Sequence, residues 1–376
     1  MPMITHNRNR TTILLIFALA LVFAKAVPAQ EYREVHPGVE YARVSRVIDG
    51  KNVNFNLLRL DLKKVRLDVV HAMDSAIGTE TTSSLAKRHN AVAAINAGFF
   101  RLDNSIFAGD NVGYLTIDGY VWSEPTMERG AIGIINRRKK TEVFLDRWRF
   151  AGYLRLKSGD RPDVLMGLNR EINGDEVVAY TPAFGTLAPR TGDVRLVIRK
   201  GRVVGECLDT CEIPKNGFVL VGNGARSNIL KQLKTGDRVQ TVWDIVSKNN
   251  AYPAYRIEDA VAGVPLLIRD GKIDITWKEE KASKDFVETR HPRTAVANLK
   301  DGKFLMLTAD GRSEASAGID LYDLADFLLE LGAVDALNLD GGGSTTMVLD
   351  DKVVNHPSDK GGERKIGDAL IVTLRK

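Results

Sequence analysis

The sequence predicts an α+β fold that is β-rich, with mixed sheets and few helices, and three observations predict it. Segments such as "NVNFNLLRLDL", "VRLDVVHAM", "VRLVIRKGRVVGE", "GFVLVGNG" and "VPLLIRDGKI" are short and rich in Val, Leu and Ile. Asp-Gly, Lys-Gly and Asn-Gly turns punctuate them, as expected of successive strands. Only two stretches read as helices, and one of them lies between two apolar segments near the C-terminus, so a strand-helix-strand crossover is expected in the C-terminal part.

Taken in chain order, Arg8 and Arg10 precede an uninterrupted apolar run from Ile13 to Ala24, and Val27-Pro28-Ala29 then suits a signal peptidase. Residues 1–29 therefore read as a cleaved export signal. The run is shorter than the ~20 residues of a spanning helix, so a secreted or periplasmic protein beginning near Gln30 is expected. No Pro/Ser-rich linker, repeat or low-complexity stretch follows. Residues 30–79 read as an N-terminal β segment packed on a main domain, residues 80–376.

The first helix is "TTSSLAKRHN", with a Ser or Thr cap, and the second is "GIDLYDLADFLLELGA", expected over 319–331. The second sets Leu321, Leu324, Phe327, Leu328 and Leu331 on one face and stops at Gly332.

Charge and cysteine count exclude several classes. The net charge is +5, of which Arg8, Arg10 and Lys25 leave with the signal. The small remainder is too weak to argue for nucleic acid. The run Arg137 to Lys140 reads as a solvated turn between strands. Cys207 and Cys211, the two cysteines of the chain, are expected to pair in an oxidising compartment. The six histidines form no HxxxH or HxH cluster, and no cofactor is read from the sequence.

The chemistry concentrates in three stretches. In "TAVANLKDGKFLMLTADGR", two apolar runs flank Asp301-Gly302, which reads as a two-residue hairpin turn. That register sets Lys300 against Lys303 and Arg293 opposite Asp310, a guanidinium beside a carboxylate. The chain then passes through the second helix to the strand "DALNL", which ends at Asp340. A crossover of this kind makes the two strands parallel and brings Asp310 and Asp340 to one sheet edge, where open sheets bind ligands. The third stretch, "AVAAINAGFF", is a strand of small residues suited to the middle of a sheet, and Asn96 at its end offers an amide to a cleft. Each stretch alone also fits an ordinary turn, but turns do not require two Asp and two Arg at one edge.

These residues carry a resemblance. "AAINAGFF", "HPRTAVANLKDGKFLMLTADGR", "GAVDALNLDGGGSTTMV" and "VNHPSDKGGERKIGDALIV", with "VVAYTPAFGT" and "DAVAGVPLLIRDGKI" between them, resemble the phosphodiester glycosidase family, in order, over roughly residues 80 to 376. The family pattern usually has Asn-Gly-Gly where this chain has Asn96-Ala97-Gly98, a methyl expected to narrow the pocket.

The resemblance implies hydrolysis of a sugar linked through its anomeric oxygen to a phosphodiester, with a sugar phosphate or a glycan polymer as partner. Arg293, Arg312 and the backbone of Gly341, Gly342 and Gly343 would meet the phosphate, with Ser344 and Thr345 adding hydroxyls. Asn96, Gly98, His291 and Asn338 would complete the substrate site. Asp310 and Asp340 are the candidates for the carboxylate facing the anomeric carbon, with no reading of which is nucleophile or base. A divalent cation between these two would also be compatible with the residues. A non-catalytic binder of phosphate-linked polysaccharide is the alternative, though it gains nothing from two Asp beside an anion.

Overall fold

The computed structural model describes residues 31–124, 128–156, 164–248 and 256–375. The export signal expected over 1–29 lies outside them. The site is framed by an eight-stranded sheet ordered Arg33–His36, Val39–Ile48, Lys51–Leu60, Phe304–Ala309, Arg293–Leu299, Ala333–Asn338, Leu266–Arg269 and Lys272–Ile273. Three strands of the N-terminal segment 30–79 thus extend the same sheet that holds the central hairpin, and Tyr32–Lys376 forms one unit. In the two strands of that hairpin every residue except Asn298 is buried, as their near-continuous apolar sequence requires.

Helix Leu321–Glu330 covers one face of this sheet. Asp320 caps it by accepting from the N–H groups of Tyr322 and Asp323, both at 3.0 Å. Leu321, Leu324, Ala325, Phe327 and Leu328 meet Phe55, Leu57, Leu305 and Leu307, and each fully buried Leu or Phe contributes about 1.5–3 kcal/mol. The other face packs on a five-stranded sheet ordered Lys352–Val353, Met347–Leu349, Ala93–Asn96, Asp368–Leu374 and Val65–His71. Val296, Phe304, Met306 and Leu337 meet Ile95, Met347 and Leu370 there. The small-residue strand Ala93–Asn96 is central in this second sheet, and helix Thr82–Arg88 lies beyond it, capped by Thr81 Oγ1 accepting from the Ser84 N–H at 3.2 Å.

Besides a two-stranded pairing of Glu80–Thr81 with Lys365–Ile366, the described residues hold a seven-stranded and a further five-stranded sheet. In the seven-stranded sheet, Lys140 pairs with Arg137, so the basic run turns between strands as expected. Beside the further five-stranded sheet, Cys207 is disulfide-bonded to Cys211.

The central hairpin differs from its expected register by one residue. Arg293 pairs with Ala309, and Asn298 with Phe304, so Arg293 is not opposite Asp310. The reason is the turn. Gly302 donates its N–H to Leu299 O at 2.9 Å, Leu299 donates to Lys303 O at 2.9 Å, and Gly302 has φ of +82°. This is a three-residue loop ending in a left-handed glycine, not a two-residue Asp-Gly turn. A one-residue slip sends paired side chains to opposite faces.

Phe304–Ala309 and Ala333–Asn338 both run antiparallel to Arg293–Leu299, which lies between them. They are therefore parallel to each other, and Asp310 and Asp340 follow them at one edge of the sheet.

Candidate active site

The site is built where the two sheets meet at this edge. Asp340 donates its N–H to Ala97 O at 2.8 Å, and the Asn96 side chain donates to Asp340 O at 2.7 Å. Asn96 Oδ1 accepts from Thr294 Oγ1 at 2.8 Å and from the Thr346 N–H at 3.0 Å. Asn96 therefore clamps the second sheet to the first, and the amide expected to meet a ligand is taken up inside the protein. Asn338 is also internal, donating to Val264 O at 2.7 Å and Leu339 O at 2.9 Å. The methyl of Ala97, 1% exposed, lies in the apolar core between the sheets, so it does not narrow the pocket.

The glycine turn that follows is not the expected row of free amides. Gly341 N–H bonds Asp340 Oδ1 at 2.9 Å and Gly342 N–H bonds Pro292 O at 2.8 Å. The amides of Ser344 and Thr345 are bonded to Gly341 O and Gly342 O. What the glycines supply is space. A β-carbon at Gly342, whose φ is +60°, would stand 3.1 Å from Arg312 Nη2, and one at Gly343 would overlap Arg364 and Asp359.

Four basic groups gather over this turn. Arg312 is exposed, has a left-handed backbone (φ +58°), and brings Nη2 to 3.4 Å from His291 Nδ1. Arg293 is 1% exposed and donates to the carbonyls of Ile319 (3.1 Å), Phe286 (2.7 Å) and Thr289 (2.8 Å), with the Phe286 ring 4.9 Å away. It makes no contact with Asp310, which corrects the expected pairing. Burial pushes Arg293 down to about 10; Asp320 opposes this and Arg312 adds to it. His291 is held below its ordinary range by burial first, then by Arg293 and Arg312. Among the described residues neither Arg293 nor Arg312 is ion-paired with a carboxylate. Arg364, by contrast, grips Asp359 through Nε at 2.8 Å and Nη2 at 3.1 Å.

The carboxyls divide differently from the expected pair. Burial pushes Asp340 up to about 6, against the nearby Ser344 hydroxyl, the Gly341 N–H and the pull of Arg364. The Ser344 hydroxyl is within reach of this carboxyl but outside ideal hydrogen-bonding geometry. Asp368 is pushed up to about 7 by burial, against the Gly98 N–H and the Asn111 amide, with Asp340 adding the smallest contribution. Asp310 is turned elsewhere: Oδ1 accepts from the His356 N–H at 2.9 Å, its N–H reaches Asn54 O at 2.8 Å, and its carbonyl accepts from Ser316 Oγ at 2.7 Å. Burial raises it, against His356, Asn355 and Arg43. Among the described residues no group of three His, Cys, Asp or Glu is placed to hold a metal ion.

Among the described residues, buried polar atoms without a partner include Thr345 Oγ1, Thr346 Oγ1 and Asn338 Oδ1 in and just before this turn. Natural interiors leave few such atoms, and a bound ligand or water commonly completes them. Sequence reasoning assigned no role to Arg364, Asp359 or Asp368, although all three lie in the quoted "VNHPSDKGGERKIGDALIV". A carboxylate inside an otherwise apolar strand, as in "GDALIV", was the available signal for Asp368. Gly98, expected to touch substrate, instead makes room for Asp368 and Asn111.

Residues 192–373 match the model of the family described as phosphodiester glycosidase. The N-acetylglucosamine-1-phosphodiester alpha-N-acetylglucosaminidase of Mus musculus is 30% identical over 164 residues, 41% of this chain and 31% of the mouse protein. Its Homo sapiens counterpart is 38% identical over 108 residues, 26% of this chain and 21% of the human protein. The matched segment therefore spans less than a third of either relative. A hypothetical protein from Synechocystis, of known crystal structure, shares the fold with a TM-score of 0.79 and 23% identity, covering 93% of this chain and 64% of that one.

Proposed function

We propose, from the premise that this chain carries a phosphodiester glycosidase domain, that it is an exported hydrolase. The bond it cleaves joins the anomeric carbon of a sugar to the phosphate of a phosphodiester, in envelope or extracellular glycans or in smaller sugar phosphates. The observation that carries this reading is the pair of guanidiniums without carboxylate ion pairs among the described residues, Arg293 and Arg312, set beside His291 over the turn that follows Asp340. Two cations that repel each other are stabilised by an anion between them.

In this reading Arg312 meets the phosphate as a planar fork, and Arg293, fixed by three carbonyls, supplies charge from below. The Thr345 hydroxyl adds a bond, with Ser344 near it. A phosphate is a weak base, so its departure needs less proton donation than that of an ordinary sugar alcohol. Water's oxygen ends on the anomeric carbon, the phosphate leaves with the bonding electron pair, and the carboxylate of Asp340 stabilises the cation-like carbon. Asp310 holds the loop at His356 and takes no chemical step.

Release of sugar from a panel of UDP-sugars and sugar-1-phosphodiesters, with and without a chelator, tests this. Free sugar and a phosphomonoester in equal amounts are expected. Saturable binding of the same compounds without release would make the protein a binder of phosphate-linked glycans.

A further inference from the structure

The further five-stranded sheet, ordered Gly167–Leu168, Val177–Tyr180, Gly217–Gly222, Val194–Arg199 and Arg202–Glu206, carries none of the residues gathered at the candidate active site. Its last two strands are joined by Lys200-Gly201, whose φ values of +50° and +69° make a two-residue type I′ turn. That turn sets Arg199 directly opposite Arg202. On the other side of Arg202, an isolated bridge sets it opposite Arg238, the residue before the strand Val239–Ser247. Directly opposed residues share a face and hold their β-carbons about 4.5–5.5 Å apart. Three arginines therefore stand in one row across neighbouring segments, with Lys200 at the turn beside them.

Ile198, Val203 and Val239, their neighbours in the chain, are buried in the core under this sheet. Burial thus accounts for those alternate positions and not for the choice of arginine between them. All four cations are exposed, and among the described residues none is ion-paired with a carboxylate. Like charges directly opposite one another destabilise a sheet. Asp237, next to Arg238 in the chain, has Oδ2 taken by the Lys234 N–H at 2.8 Å. Arg202 Nη1 donates to Gly236 O at 2.8 Å, which steadies that side chain. Nor do the charges guard an open strand edge, because residues 236–239 already cover it. Gly236 donates to Val203 O at 2.9 Å, Val203 to Asp237 O at 3.0 Å and Val239 to Gly201 O at 2.9 Å.

The surface here is concave. Lys200, Gly201, Arg202, Arg238, Val239 and Gln240 line a groove of about 420 Å³, within the range of small-ligand sites. These lining residues include no carboxylate and no aromatic ring. Guanidiniums grip phosphate as planar forks, whereas single-stranded nucleic acid asks for rings on which its bases stack.

We infer that this groove is a second, non-catalytic binding site for a polyanionic glycan whose sugars are joined through phosphodiesters. The phosphates lie along the arginine row and the sugar hydroxyls meet the Gln240 amide. This rests on the reading of a phosphodiester-linked glycan as substrate, and it makes that substrate a polymer held at two places.

The test is calorimetric titration of the protein carrying Asp340→Asn, which stops turnover. The ligands are a polysaccharide of hexoses joined through phosphodiesters, a neutral polysaccharide of the same hexose, and an oligothymidylate of equal charge. The phosphate polymer should bind, more weakly as salt rises, and the neutral one should not. Lys200→Gln, Arg202→Gln and Arg238→Gln together should weaken that binding by at least about tenfold, with melting temperature retained. Arg199→Gln with Arg238→Gln keeps the Arg202 bond to Gly236 and serves if the triple variant does not fold. With Asp340 restored, the triple variant should lower kcat/KM on the polymer about tenfold through KM, and hold kcat/KM on a UDP-sugar within about two-fold. Unweakened polymer binding in these variants, an equal loss on the UDP-sugar, or oligothymidylate bound as tightly as the glycan would overturn the proposal. The titration needs no turnover, so its result is separate from any failure of the glycosidase reading.

Discussion

Asp310 and Asp340 follow two parallel strands of one sheet and stand at the same edge, but their surroundings are not alike. Around Asp310 each polar group is matched within the protein: its N–H with Asn54, its carbonyl with Ser316, its carboxylate with the His356 N–H. Around Asp340 burial raises the carboxyl, and among the described residues the Thr345 and Thr346 hydroxyls have no hydrogen-bond partner. The two arginines differ in the same way. Arg293 is held by three carbonyls, while Arg312 is exposed, in a left-handed backbone, with His291 beside it. What separates the two aspartates is not their own hydrogen bonds, since Asp340 also has its N–H, carbonyl and Oδ1 matched by Ala97, Asn96 and Gly341, but the unpartnered hydroxyls that share the turn with Asp340.

The largest effect that could break this comparison is expected from Asp340→Asn. Its Oδ1 can still accept the Gly341 N–H, so melting at neutral pH should hold, while turnover on the best substrate should fall about 10²–10⁴-fold. Near-normal turnover would transfer the chemistry to another carboxylate. Arg312→Lys keeps the charge but loses the fork. It should cost about 2–4 kcal/mol of transition-state stabilisation with melting unchanged, and a steady-state assay beside a thermal melt separates the two quantities.

Arg293→Lys should behave differently, because a single ammonium cannot reproduce bonds to three fixed carbonyls. A stability loss of about 1–3 kcal/mol in denaturant titration is expected along with lost activity. Full stability with activity alone reduced would put Arg293 in the same class as Arg312. The smallest effect belongs to Asp310→Ala. It leaves the His356 N–H unmatched and should cost about 1 kcal/mol of stability, with kcat changed by no more than about three-fold. Loss of turnover as severe as in Asp340→Asn would erase the contrast between the two aspartates.

By itself the sequence determined the elements whose cause is local. The period of Leu321, Leu324, Phe327 and Leu328 with the Asp320 cap set one helix, and Thr81 set the start of the other. The apolar runs on either side of Asp301-Gly302 set the hairpin, and "LNLDGGGSTT" marked the turn that carries Asp340. A local pattern could not choose between a two-residue and a three-residue loop, since both accept Asp-Gly, and that one residue decided whether Arg293 met Asp310. Nor could it give the long-range pairing of Asp368–Leu374 with Ala93–Asn96 and Val65–His71, which is enforced by apolar burial between two sheets. Only that burial placed Asp368 across Ala97 from Asp340, put Arg364 over Gly343, and used up the Asn96 amide inside the protein. Which hydrogen bonds remain for a substrate is decided by contacts between residues far apart in the chain, and so only by the tertiary structure.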